Sequence, residues 1–344
     1  MLHELLVASG YTRLKDDIAP SAIWLRAPWP NTLTHEAVYV ARDQRALGHV
    51  TVTRAYSKTW LGHEIATLRN HPEAMACRRT LYQHFSVWPR LLDGDDAHLL
   101  GYYDRTRPWH QRMFEGFADR CGDQDCLVLP MERYALDRPS DASEDDQQGG
   151  LSAGASVARA GISDAEWVAE LVGKHWPGLV LRAFDIHPDR LTAECMHPAY
   201  RTAHLRRARD VLVLRVREQP VGAALCEWSD SRISLFNVLN MAQIFIESDA
   251  DVPAEARNLL VQRVRAFYGD LGTPPPMLVC PPGTFGEAGL QGCRMVETMG
   301  CIVWSSEGLR QYESYVAEAM PAAQGVSSEY PAQQEPLRVD SEAE

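Results

Sequence analysis

The sequence predicts an α/β (α+β) protein of two domains, each a mixed, mostly antiparallel sheet flanked by helices. Three observations predict it. Short apolar runs of strand length alternate with amphipathic helical stretches. An acidic segment rich in glycine and serine at 136–156 divides the chain, and the succession of elements before that segment returns after it. At 344 residues the chain is long enough for two cores of ordinary size.

Residues 2–9 have the pattern of a short helix closed by Gly10, and Ala22–Arg26 is a short apolar run before a loop of Pro and Trp. Ala37–Arg42 and Ala46–Arg54 read as strands joined by the polar turn Asp43-Gln44-Arg45, and Ser57–Leu68 continues the meander. Pro72 and Glu73 begin a helix, with Asn70 and Glu73 spaced as a capping box; Ala74, Cys77, Leu81, Phe85 and Trp88 share one face, and Pro89 is expected to stop it. His98–Tyr103 reads as a strand, Pro108 opens a second helix with Trp109, Met113 and Phe117 on one side, and Cys126–Ala135 is a strand.

The segment 136–156 is predicted to be a flexible linker between a first domain, 1–135, and a second, 157–320. The second half restarts with a capping box, Ser163 and Glu166, ahead of a helix ending at Trp176-Pro177-Gly178. Pro188 begins a further helical stretch reaching Arg209. Val211–Val216 and Val221–Trp228 read as strands, followed by Ile233–Glu247 and a long amphipathic helix over Val252–Leu271. Met277–Cys280 is a strand, Phe285–Met299 a loop and helix, Cys301–Ser305 a last strand and Leu309–Met320 a last helix; 321–344 is expected to be a disordered acidic tail.

The charge balance excludes one class of partner. The formal charge is −12, but Asp137–Asp146 and the residues after Pro321 each contribute −4, so the remaining chain is only mildly acidic and nucleic acid is not an expected partner. No apolar run reaches the roughly 18 residues of a membrane span, and no basic region precedes an apolar one at the start, so a cytoplasmic protein is expected. The eight cysteines are scattered without a C-x-x-C pair, and neither His63-Glu64 nor the group Cys195, His197 and His204 has metal-ligand spacing; no metal is expected. G-x-S-x-G, G-x-G-x-x-G and the P-loop pattern are absent.

The stretch 47–85 carries the chemistry. A strand empties through Arg69-Asn70-His71-Pro72-Glu73 into a helix, and such a corner offers unpaired N–H groups and the positive end of a helix dipole to a phosphate. Arg69, Asn70, His71, Arg78 and Arg79 are the candidate cofactor-binding residues there.

The repeated order of strand meander, long helix, strand, helix and strand resembles the GNAT N-acetyltransferases, over about 37–135 and 163–305. Leu99–Phe117 (LLGYYDRTRPWHQRMFEGF) is similar to that family's strand, loop and helix ending in Tyr-x-x-x-Gly-Phe, and Met295–Ile302 (MVETMGCI) to the same place in the second half. The resemblance implies acetyl-CoA or a longer acyl-CoA as cofactor and a small-molecule or protein amine as acceptor. It implies Glu64 as general base, and Tyr102 or Tyr103 as proton donor to the departing thiolate.

The departures from the family are specific. Its phosphate-loop glycines are missing from Arg69–Met75 (RNHPEAM), and four acids crowd Glu247–Ala256 in the second half. Arg112 and Val296 stand where its acidic tyrosine would be. Two functions follow as expectations: acyl transfer in the first half, or a non-catalytic binding protein built on two degenerate folds of this kind.

Overall fold

The computed structural model describes residues 32–136, 154–230, 233, 238–247, 250–272, 277–286 and 292–320. The expected helix at 2–9, most of the linker and the acidic tail lie outside the described residues. The elements are β1 (Thr34–Val40), β2 (Ala46–Arg54), β3 (Thr59–Thr67), α1 (Ala74–Asp93), β4 (His98–Asp104), α2 (helical turns over 108–118), β5 (Cys126–Leu136) and β6 (Ala155–Arg159). Then follow α3 (Ala165–His175), α4 (Gly178–Ala183), α5 (Pro198–Thr202), β7 (Arg207–Val216), β8 (Gln219–Ser229) and β9 (Met241–Ile246). The chain closes with α6 (Ala254–Asp270), β10 (Met277–Cys280), β11 (Cys293–Ser305) and α7 (Ser306–Ala319).

The fold is α+β, and among the described residues eleven strands form a single sheet in the order β1-β2-β3-β4-β11-β5-β10-β9-β8-β7-β6. The order mirrors itself about the β11–β5 pair as far as β1 on one side and β7 on the other, with β6 one strand beyond. β3 lies parallel to β4 in the first half, and β9 parallel to β10 in the second. The final strands are exchanged: β11 pairs with β4 of the first half, while β5 pairs with β10 of the second. The two halves are therefore hydrogen-bonded into one another at the centre of the sheet.

Packing follows the exchange. The last helix, α7, buries Leu309, Tyr312, Tyr315 and Val316 in one core with Leu81, Phe85 and Phe117 of the first half. A second core joins Tyr56, Leu61 and Leu100 to Leu171, Phe184, Tyr200 and Phe245 across the halves. A third lies between α6 and the second-half strands, with Tyr134 of β5 reaching into it.

Four sequence expectations are corrected. Helix α1 does not stop at Pro89 but runs to Asp93. The Asp93 carboxylate accepts from Arg54 at 2.9 Å and from the Trp60 indole at 2.7 Å, which ties the last turn to β2 and β3. Neither capping box forms as expected. Glu73 is itself the N-cap of α1 without a side-chain cap bond, and in the short turn ahead of α3 the Gly161 N–H is taken by Asp164, the α3 N-cap, with no Ser163–Glu166 pair. Residues 188–209 hold only short helical turns before β7 begins at Arg207. The region expected to be loop and helix up to Met299 is already strand from Cys293, because β5 pairs with it along nearly its whole length.

The packing at the sheet centre leaves no room for a side chain at position 300. A Cβ on Gly300 of β11 would stand 2.3 Å from Cζ of Tyr103, whose ring lies across that strand.

Candidate functional site

β3 and β4 are paired from Thr59↔His98 to Gly62↔Gly101 and no further. Beyond that point β3 stays with β2 and β4 stays with β11, so the two parallel strands part. Backbone groups facing such a gap have lost their ladder partner and are available to a ligand. A cavity of about 240 Å³ opens at the parting.

Its apolar lining is Leu61 and Ile65 from β3, Tyr102 from β4, Met299 from β11, and Val238 and Met277 contributed by the second half. Charged groups line it too. Asp104 pairs with Arg107 at 3.2 Å, Arg133 pairs with Glu297 at 2.8 Å, and His110 lies beside them.

Tyr102 and Tyr103 both line the cavity, as neighbours on a strand whose side chains leave on opposite faces. The Tyr102 hydroxyl reaches across the halves to the Met241 sulfur at 3.9 Å. The Tyr103 hydroxyl donates to Glu115 at 3.2 Å, and its ring packs on His110 and Phe114. Burial pushes both phenols above their ordinary range, Glu115 adding to the effect at Tyr103, so each stays protonated near neutral pH. Glu64 lies on β3 just past the last β3–β4 pair; its side chain is outside the described residues.

The candidate phosphate-binding residues divide. Arg78 is held in place, its Nε donating to Thr67 Oγ1 at 3.0 Å and its guanidinium 5.1 Å from the Trp109 ring. His71 is occupied within the corner: its ring accepts the Glu73 N–H at 3.1 Å and lies 3.7 Å from Asp43. The Glu73 carboxylate is drawn away from the helix mouth by the Tyr39 hydroxyl and the Arg42 N–H. Arg69 and Asn70 are exposed, and Arg79 is half-buried. None of these five residues lines the cavity itself.

His110 is the group that sequence reasoning missed. Its Nδ1 lies 3.2 Å from the carbonyl of Asp104 and can only donate there, so a neutral ring carries its free lone pair on Nε2. Burial lowers its pKa below the ordinary 6.5, against a raising effect of the Asp104 carbonyl, which keeps the ring neutral at pH 7. A histidine in the first turn of a helix opened by Pro108 was the only available signal. Val238 and Met277 carried none, since they belong to the other half.

The second half presents a different surface at the matching place. Beyond the β9–β10 pairs the end of β9 is covered by α3: Lys174 bonds Glu247 at 2.7 Å and His175 bonds the Ile246 carbonyl at 3.1 Å.

No family model and no curated protein matches the chain. Among solved structures it is similar to a GCN5-related N-acetyltransferase from Sphaerobacter thermophilus, with 12% identity, 88% of this chain and 91% of that one covered, and a TM-score of 0.44. It is similar also to a tandem GNAT protein from the clavulanic acid biosynthesis pathway (13% identity, 89% and 94% covered, TM-score 0.40). A third is a GCN5-related N-acetyltransferase-like protein from Streptococcus suis (12% identity, 88% and 100% covered, TM-score 0.40).

Proposed function

We propose that the chain is a tandem acyltransferase of the GCN5-related kind, whose first half moves an acyl group from a CoA thioester to an amine. The observation that carries this reading is the parting of β3 from β4 past Gly62 and Gly101, which opens a cavity walled by Tyr102, Tyr103 and His110.

In the transfer, the amine nitrogen attacks the thioester carbonyl; the N–C bond forms and the C–S bond breaks. His110 Nε2, or Glu64, takes the proton that the amine gives up. In this reading the Tyr102 hydroxyl, kept protonated by burial, turns from the Met241 sulfur to the departing sulfur and returns a proton to it. Backbone N–H groups freed where β3 and β4 part would polarise the carbonyl. Arg78 is the cation fixed beside the helix start for the diphosphate, with the first-turn amides of α1 as further donors. Arg69 and Arg79 supply looser positive charge.

Calorimetry of the full chain with CoA and acyl-CoA thioesters tests the reading. Micromolar binding is expected, weakened about tenfold by Arg78→Ala, the size of one charge-assisted hydrogen bond of about 1.5 kcal/mol. Absence of heat with every CoA species at millimolar concentration would overturn it.

A further inference from the structure

We infer that the acyl group carried by this site is a straight chain of about four to six carbons, with the second half of the protein acting as the floor that measures its length; the inference rests on the acyltransferase reading above. The cavity at the β3–β4 parting holds about 240 Å³. An acetyl group has three heavy atoms, and at roughly the ~30 Å³ share of a water apiece it would fill well under half of that space.

The lining holds two kinds of side chain. The charged groups, the Asp104–Arg107 and Arg133–Glu297 pairs with His110, suit the polar acceptor. Leu61, Val238, Met277 and Met299, with the ring of Tyr102, offer an alkyl chain apolar contact. Val238 and Met277 come from the second half, and Met277 is the first residue of β10. Methionine adapts to irregular apolar occupants, as a wall for a flexible chain requires. The exchanged strands fix this floor: β11 brings Met299 beside β4, and β10 is anchored on β5.

Titration of the full-length protein with CoA, acetyl-CoA, butanoyl-CoA and hexanoyl-CoA tests the inference. Affinity is expected to rise by about fourfold per added methylene, the effect of burying each CH₂, up to hexanoyl. In Met277→Trp and, independently, Val238→Phe, hexanoyl-CoA is expected to bind no tighter than acetyl-CoA, with the urea midpoint checking that each variant folds. Equal affinity for acetyl-CoA and hexanoyl-CoA in the unaltered protein would overturn the inference and leave the acyltransferase reading standing. A hexanoyl preference that survives both substitutions would overturn the assigned floor. If no CoA species binds, both readings fall.

Discussion

The Tyr56 hydroxyl, on the turn between β2 and β3, lies 2.9 Å from each carboxylate oxygen of Glu227 on β8, 171 positions away in sequence. Arg207 and Arg209, neighbours of Glu227 across the β7–β8 ladder, bond the same carboxylate and flank the Tyr56 ring at 5.3 and 5.2 Å. All four groups are buried. Burial alone would push the Glu227 carboxyl up; the two guanidiniums outweigh it and hold the carboxyl below its ordinary range. This ionic cluster joins the first half to the second.

Glu227→Ala strands two guanidiniums in the interior. Loss of about 3–5 kcal/mol of stability is expected, with Tyr56→Phe costing about 1.5–3 kcal/mol. Urea unfolding of both single variants and the double variant measures the coupling between them. Strictly additive losses would show that the two residues do not act together.

Gly300→Ala places a methyl group 2.3 Å from Tyr103 Cζ, and the ring must move. Destabilisation of about 1–3 kcal/mol is expected from overpacking. The same substitution made in a Tyr103→Leu background should cost less, and a cost unchanged by that background would place the strain elsewhere.

Acid sensitivity is expected at the β1–α1 contact. His35 and His84 face each other with Nε2 atoms 2.6 Å apart, His35 stacking on Trp88 at 3.4 Å. Burial, then His84, lowers the His35 pKa from 6.5 to about 4, while Glu36 opposes them; burial also lowers His84. The unfolded chain therefore binds protons before the folded one does, so the stabilising contribution is whole above pH 6.5 and is lost as pH falls toward 4. Thermal melts at pH 7 and pH 4.5 should show a smaller drop in His35→Gln than in the unaltered protein.

If His110 accepts the amine proton, kcat/KM should be level above pH 6.5 in the contribution of this group and fall on acidification through its lowered pKa. His110→Gln should lower the rate by about 10²–10⁴-fold and remove that acidic limb. A limb that persists in His110→Gln assigns it to another group, with Glu64 the next to replace.

Local pattern carried a good deal of this. The alternation in Ala46–Arg54, the apolar face from Ala74 to Phe85 and the run Val211–Val216 each specify their own element, because period and burial coincide within one stretch. Pro89 misled because a tie from Asp93 to Arg54 and Trp60, invisible locally, carries α1 past it. Residues 293–299 misled because strand pairing with β5 overrides weak local preference.

By itself, then, the sequence determined the α+β class, the twofold plan and the strand that carries Tyr102 and Tyr103 as neighbours. Only the tertiary structure decided that β11 and β5 change places, that Val238 and Met277 of one half wall the cavity of the other, and that His110 lines it with Nδ1 held by the Asp104 carbonyl. The reason is physical: residue order encodes hydrophobic period and turn chemistry over a few positions, whereas strand exchange is chosen by contacts between segments more than a hundred residues apart.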